Sequence, residues 1–262
     1  MSFIPQAMSG REIQHDIKFS NDGAISGIVS GVQSITLGAD SQLLLGGSAA
    51  ANEFVMSSDF ISVDPGGADR VLKLPAALGD LTLVGRTLKI FNSADGNGEL
   101  ITLTDFRGLT SATGVGFVCY IGKGQLVEIF ITSHDASTGA IEFVIKTELF
   151  QHTVQGANNA DVDILPFVAG KAFIPVRAVI SSAGTPNVNG GKIQVEDGGT
   201  DIDFITFPNT ALAADTPEIM VAAGFTGFSP VGVESGAIGK VKKLQSTSGA
   251  DVTVVTLFYV QI

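Results

Sequence analysis

The sequence predicts an all-β protein, and three observations carry that prediction. Hydrophobic residues make up 45% of the 262 residues and charged residues only 16%, so the chain has apolar surface enough for a substantial core and is too weakly charged to stay unfolded. Thirty-two glycines punctuate runs of Val, Ile, Phe and Thr, which suits short strands joined by tight turns, because glycine supplies the positive φ such turns require. Alternation with a period of two is visible in Ile141-Glu142-Phe143-Val144-Ile145-Lys146, where Ile141, Phe143 and Ile145 share one face and Glu142 and Lys146 point the other way. The expected architecture is two antiparallel β-sandwich or jelly-roll-like domains preceded by an extended N-terminal arm.

The arm is expected over residues 1–40, where isolated apolar residues mix with Gly, Ser, Asn and Gln without a sustained period. A first β-sandwich or β-module is expected over 41–150, with strand signals at 52–56, 60–63, 70–74, 87–92, 99–104, 116–121, 125–132 and 141–147. Asp95-Gly96 and Gly122-Lys123-Gly124 fall between these strands and tolerate positive φ, which predicts antiparallel pairing of consecutive strands. The polar stretch 151–163 is the expected boundary. A second sandwich follows over 151–262, with strands at 162–165, 171–180, 192–195, 202–206, 218–221, 239–244 and 251–260. Pro175 marks an edge or a bulge in its long strand, and only 210–215, with its Ala and Leu, suggests a helical turn.

A formal charge of −11 and a pI near 4.6 oppose binding to phosphate backbones, and no basic cluster denser than Lys240, Lys242 and Lys243 offsets them, so nucleic acid is not an expected partner. Met1 to Pro5 lacks a basic and apolar leader, and no uncharged apolar run reaches the roughly 18 residues of a membrane helix. Neither Sec export nor a membrane span is therefore expected. A single cysteine, Cys119, excludes an intrachain disulfide framework, which suits synthesis in a reducing host cytoplasm.

The catalytic patterns give little. His134 adjoins Asp135, but no Gly-x-Ser-x-Gly elbow is present, and residues 133–139 read as a turn. Asp161/Asp163 and Asp201/Asp203 are spaced to share a strand face and could take a hard cation, yet they read first as solvated carboxylates. No glycine-rich phosphate loop occurs. Phenylalanines inside alternating strands, such as Phe54, Phe91, Phe130, Phe143, Phe204 and Phe258, read as core, and Cys119 reads as a small buried apolar side chain. No enzyme activity, metal or cofactor is expected.

Arg70-Val71-Leu72-Lys73-Leu74-Pro75-Ala76-Ala77, then Gly85-Arg86-Thr87-Leu88-Lys89-Ile90-Phe91-Asn92, Ile101-Thr102-Leu103 and Gly124-Gln125-Leu126-Val127-Glu128-Ile129-Phe130, resemble a small β-module repeated in tailed-phage fibre and head-associated proteins. Ala169-Gly170-Lys171-Ala172-Phe173-Ile174-Pro175, Ile202-Asp203-Phe204 and the closing Val252-Thr253-Val254-Val255-Thr256-Leu257-Phe258-Tyr259 are similar to a domain of phage virion structural proteins. The resemblance implies a virion structural protein, with a capsid decoration or cement protein on the exterior of a phage head as the leading expectation. Its partner would be the major capsid protein, and it would assemble as a homo-oligomer, as a trimer in the leading form. Phe3, Ile4, Ile13 and Ile17 are the arm positions expected to insert into neighbours. The competing expectation is a tail or fibre adhesin whose loops 133–139 or 225–234 bind a host receptor.

Overall fold

A computed structural model describes residues 31–96, 98–110, 113–156, 162–166, 168, 171, 173–183, 191–197, 200–207, 218–221, 240–245 and 252–261. Every regular element among them is a strand, which settles the all-β class. In the first block these are β1 (Val32–Thr36), β2 (Ser41–Leu44), β3 (Glu53–Val55), β4 (Phe60–Asp64), β5 (Arg70–Lys73), β6 (Thr87–Asn92), β7 (Ile101–Thr104), β8 (Phe117–Ile121), β9 (Leu126–His134) and β10 (Ile141–Ile145). The second block holds β11 (Phe150–Gly156), β12 (Val162–Leu165), β13 (Phe173–Ala183), β14 (Gly191–Asp197), β15 (Thr200–Phe207), β16 (Glu218–Val221), β17 (Lys240–Gln245) and β18 (Val252–Gln261).

The pairing of the first block differs from expectation. Its sheets run β1-β4-β6-β9-β10 and β3-β2-β5-β7-β8, and the chain alternates between them, each return laying a strand parallel to the one before. Val32 stands beside Phe60 and Phe60 beside Lys89, so a full rung takes 28 or 29 residues. The turn around Asp95-Gly96 carries the chain from one sheet to the other, as does Gly122-Lys123-Gly124. A positive-φ turn reverses the chain but does not dictate that the next strand bond to the last one. Here the inward residues decide, because Ile61, Val63, Leu72, Leu74, Leu88, Ile90, Ile101 and Leu103 fill one core between the two layers.

The crossings from the first sheet to the second after β1 and β4 are each pinned to the next rung by a carboxylate. Asp40 Oδ1 accepts a hydrogen bond from the Val71 N–H at 2.9 Å, and Asp69 Oδ1 accepts one from the Leu100 N–H at 2.9 Å. Both aspartates end a Gly-Ala-Asp triplet, at 38–40 and 67–69, a repeat whose spacing of 29 matches the rung. The last rung has no successor, and Glu99 turns back to accept from the Gly96 and Gly67 N–H groups.

The stack is closed by reversal, with β8 antiparallel to β7 and β9 antiparallel to β6. Two buried amides hold the reversal together. Asn92, fully buried, donates from Nδ2 to the Glu99 and Ile121 carbonyls and accepts from the Ala94 N–H. Gln125 accepts from the Gly122 and Gln151 N–H groups and donates to the Leu149 carbonyl, tying the closing turn to the second block.

The second block is antiparallel throughout its described strands, in sheets β11-β18-β13-β16 and β12-β17-β14-β15. Asp197 pairs with Thr200 across Gly198-Gly199, as the turn signal predicts. The register of β13 shifts between Pro175 and Arg177, so the proline sits at a bulge. Three strands fall where no strand is expected: β1 lies inside the expected arm, β2 opens the expected first sandwich, and β11 starts at Phe150 and runs into the expected polar boundary. In β11, Phe150, His152 and Val154 are buried against β18, while its other face supplies the polar residues that mask the alternation. Residues 210–215 lie outside the described residues.

Both blocks contribute to one hydrophobic cluster. Phe117 and Tyr120 of β8 meet Phe173 of β13, with ring centroids 6.3 and 5.5 Å away, and Tyr259 of β18 stacks on Phe150 at 5.6 Å while meeting Phe173 edge-on at 5.9 Å. Every residue of β8 is buried because this contact covers its outer face. Replacing Asn92 with alanine would leave two carbonyls and one N–H unpartnered at the closing turn. Denaturant unfolding is expected to show a loss of about 3 kcal/mol for Asn92→Ala, against about 1 kcal/mol for Asp40→Ala at an exposed crossing.

Candidate functional surface

The arm positions Phe3, Ile4, Ile13 and Ile17 lie outside the described residues, as do loop 225–234 and Asp161. The side chains of Asp163, Asp201 and Asp203 are likewise outside the described part. Among the described residues no three His, Cys, Asp or Glu side chains gather as a metal site.

The loop after β9 is a closed turn. Asp135 Oδ1 accepts from the Ser137 N–H, the Ser137 hydroxyl and the Thr138 N–H, and these bonds, the hydroxyl's first, hold its carboxyl at about 2. His134 Nδ1 accepts from the Leu83 N–H at 3.2 Å, fixing the crossing before β6 to the end of β9. The adjacent His and Asp thus serve two separate backbone contacts and make no hydrogen bond to each other. Cys119 is fully buried in β8, and burial pushes its thiol well above the ordinary range, so it packs as a small apolar side chain.

Several residues of the module quoted from the sequence hold turns and strand ends in place. Leu74 fills the core, its N–H bonded to the Thr104 carbonyl. The Gly85 N–H donates to the Ile131 carbonyl, Arg86 pairs with Asp59 through Nε at 2.7 Å, and Asn92 ends the strand in the buried network above. Such a pattern records where rungs turn and close, and contains no reactive group.

What distinguishes the surface is its two rims. At one rim the chain passes from the first sheet to the second, and this rim is acidic: Asp40, Asp69, Asp95 and Glu99 lie in its turns and Asp64 ends β4 beside them. At the other rim the loops 74–86, 105–116 and 135–140 come together, as shown by the contact of Leu83 with His134 and the seating of Gly139 against Phe106. Gly139 has φ +70 and no room for a Cβ beside that ring. This second rim exposes Leu78 (51%), Leu81 (37%), Val84 (50%), Phe106 (38%) and Val115 (41%), half of the large exposed hydrophobics among the described residues. Gly46 lies against Leu78 and Leu81, so the loop after β2 borders the same patch. Sequence reasoning placed none of these residues at a site, because nothing local marks the crossing that carries them as part of a rim.

Comparison with known proteins gives no family model that matches and no curated protein that matches. Among solved structures, one of infectious bursal disease virus, Gt strain, matches with TM-score 0.26 and 12% identity over 61% of this chain and 50% of that chain. One of the Gx strain matches with TM-score 0.25 and 11% identity over 53% of this chain and 39% of that chain. This chain therefore spans half or less of the length of the chains it matches.

His152 gives the junction a pH dependence. Its ring is 2% exposed, Nδ1 has no partner among the described residues, and burial lowers its pKa from 6.5 to about 4. The folded state thus holds the neutral ring, and the stability this confers is complete above pH 6.5 and lost as pH falls from 6.5 towards 4, by up to about 3 kcal/mol. His134, also lowered by burial, adds an effect of the same sign. Thermal unfolding followed between pH 7.5 and pH 4 is expected to show this decline, and His152→Leu is expected to remove most of it.

Proposed function

We propose that this chain is a non-enzymatic structural component of a virus particle, and within that class a decoration or cement protein on the outside of a tailed-phage head. One observation carries the reading: a frame of stacked rungs, with polar groups committed to turns, presents a cluster of exposed leucine, valine and phenylalanine side chains at one rim. Apolar patches of that kind on a folded protein mark interaction surfaces. The opposite rim and the net charge of −11 are acidic, which suits an exterior position away from packaged DNA.

In this reading the apolar rim docks on the major capsid protein, and residues 1–30, including Phe3, Ile4, Ile13 and Ile17, reach across to a neighbour in a homotrimer. Burying shell surface across adjacent subunits stabilises the assembled state by mass action and requires no bond chemistry. Synthesis would take place in the host cytoplasm before attachment to the head. A tail or fibre adhesin is the second reading, favoured by the polar groove described in the next subsection.

Leu78 and Val84 are half exposed, so Leu78→Ser/Val84→Ser is expected to fold with an unchanged melting temperature. Each lost apolar contact is expected to cost about 1–2 kcal/mol of docking, so the double variant should co-sediment with undecorated particles at least about tenfold more weakly than the parent. Undiminished co-sedimentation would contradict the assignment of the rim.

A further inference from the structure

The outer face of the second sheet carries an open groove of about 510 Å³, a size that holds one or two sugar rings. Its floor is Gln42 of β2 and Val71 and Lys73 of β5, side chains that point away from the core because Leu43 and Leu72 between them point into it. The turn at Asn52 and Glu53 forms one wall and the loop around Arg107 the other. Asn52 has φ +63, the one non-glycine residue with positive φ among the described residues, so this wall is held in a conformation that few side chains accept.

Two cationic residues, Lys73 and Arg107, line this groove. Arg107 is fixed by Asp105, which is buried and accepts from Nε at 2.9 Å and from Nη2 at 2.5 Å. Lys73 makes no ion pair among the described residues. Its ammonium lies beside the same loop: a Cβ built on Gly108, where φ is +79, would stand 3.2 Å from both Cε and Nζ of Lys73. Gly108 therefore leaves room for an unpaired ammonium beside the loop that carries an anchored guanidinium, in a protein of net charge −11. Around that positive spot stand acceptors and amides: Asp40 and Glu53, each with one carboxylate oxygen on a backbone N–H (Val71 and Ala50), and the side chain of Gln42.

We propose that this groove binds an acidic saccharide, with the anionic group on Lys73 and Arg107 and the sugar hydroxyls on Asp40, Glu53 and Gln42. The carboxylates and Gln42 can accept from or donate to sugar hydroxyls, which an acidic peptide such as tetraglutamate lacks, and the groove has only Ala51, Val71 and Leu109 to offer an apolar anchor. The inference goes beyond the reading of the apolar rim and stands or falls separately from it, because the groove and the rim share no residue that either test replaces.

The full-length protein can be titrated, at low salt, with trigalacturonate as the carboxylate probe, mannose 6-phosphate as the phosphate probe, maltotriose as the neutral probe and tetraglutamate as the peptide probe. Both charged sugars are expected to bind at least about tenfold more tightly than maltotriose and tetraglutamate, and the stronger of the two identifies the anion. Lys73→Gln is expected to abolish that preference while keeping the melting temperature, whereas Lys123→Gln, whose ammonium bonds the Asp95 carbonyl, is expected to change nothing. Absence of binding by either charged sugar, equal binding of maltotriose, equal binding of tetraglutamate, or full binding by Lys73→Gln would each overturn the proposal.

Discussion

A stack of parallel rungs has to be ended, and the rest of this structure depends on how the last rung is closed. Parallel strands leave a row of unpaired backbone groups at the end of the stack, and any further rung of the same kind only moves that row along. Here β8 and β9 turn back on β7 and β6, and the sharp passage between sheets is bonded from within by Asn92 and Gln125. An amide serves this place because it donates and accepts at once without a charge that burial would penalise. Gln125 also reaches Leu149 and Gln151, so the closure of the first block is the anchorage of the second.

From that anchorage the aromatic junction follows. The outer face of β8, which would otherwise carry Val118 and Tyr120 into solvent, is covered by β11, β13 and β18. Gly122 passes so close to the backbone of Gln151 and His152 that no side chain fits there. Tyr120 donates to the Pro166 carbonyl and Gln261 donates to that of Val118, so hydrogen bonds accompany the ring contacts across the junction. Burial of His152 beside this seam makes the contact sensitive to acid.

Much of the strand content is legible in the sequence. Alternation places β6, β12 and β16 at their observed bounds, and Asp197-Gly198-Gly199 marks a true hairpin. The partner of each strand is not legible, because a turn residue fixes local φ while the choice between hairpin and crossing rests on which inward side chains stack. The two Gly-Ala-Asp triplets of the first block, at 38–40 and 67–69, were the available signal for rungs, and their meaning is clear only once Asp40 is seen capping Val71 and Asp69 capping Leu100. β11 escapes sequence reasoning because Gln151, Thr153 and Gln155 give a polar cast to a strand whose other face is core. For function, the module residues point to a class of protein; Gly85 and Asn92 lead to turn and closure positions, and Lys73 leads to the groove. The rim and the groove depend on contacts between residues far apart in the chain, from 31 positions for Asp40 and Val71 to 51 for Leu83 and His134, which no local pattern encodes.

The proposed function gives the rim to a shell and the arm to a neighbour, and the proposed sugar groove stands apart from both on the same stack of rungs. Its central claim is that the protein is a regular component of the particle surface, present wherever the shell lattice offers its site. The most direct test is the copy number of this chain relative to the major capsid protein in purified particles, by quantitative mass spectrometry. The account predicts a ratio of the order set by lattice sites, close to one copy per shell subunit or a simple fraction of it. A ratio of a few per cent would contradict the shell assignment and move the protein to the tail, and absence from the particles would contradict the virion reading itself.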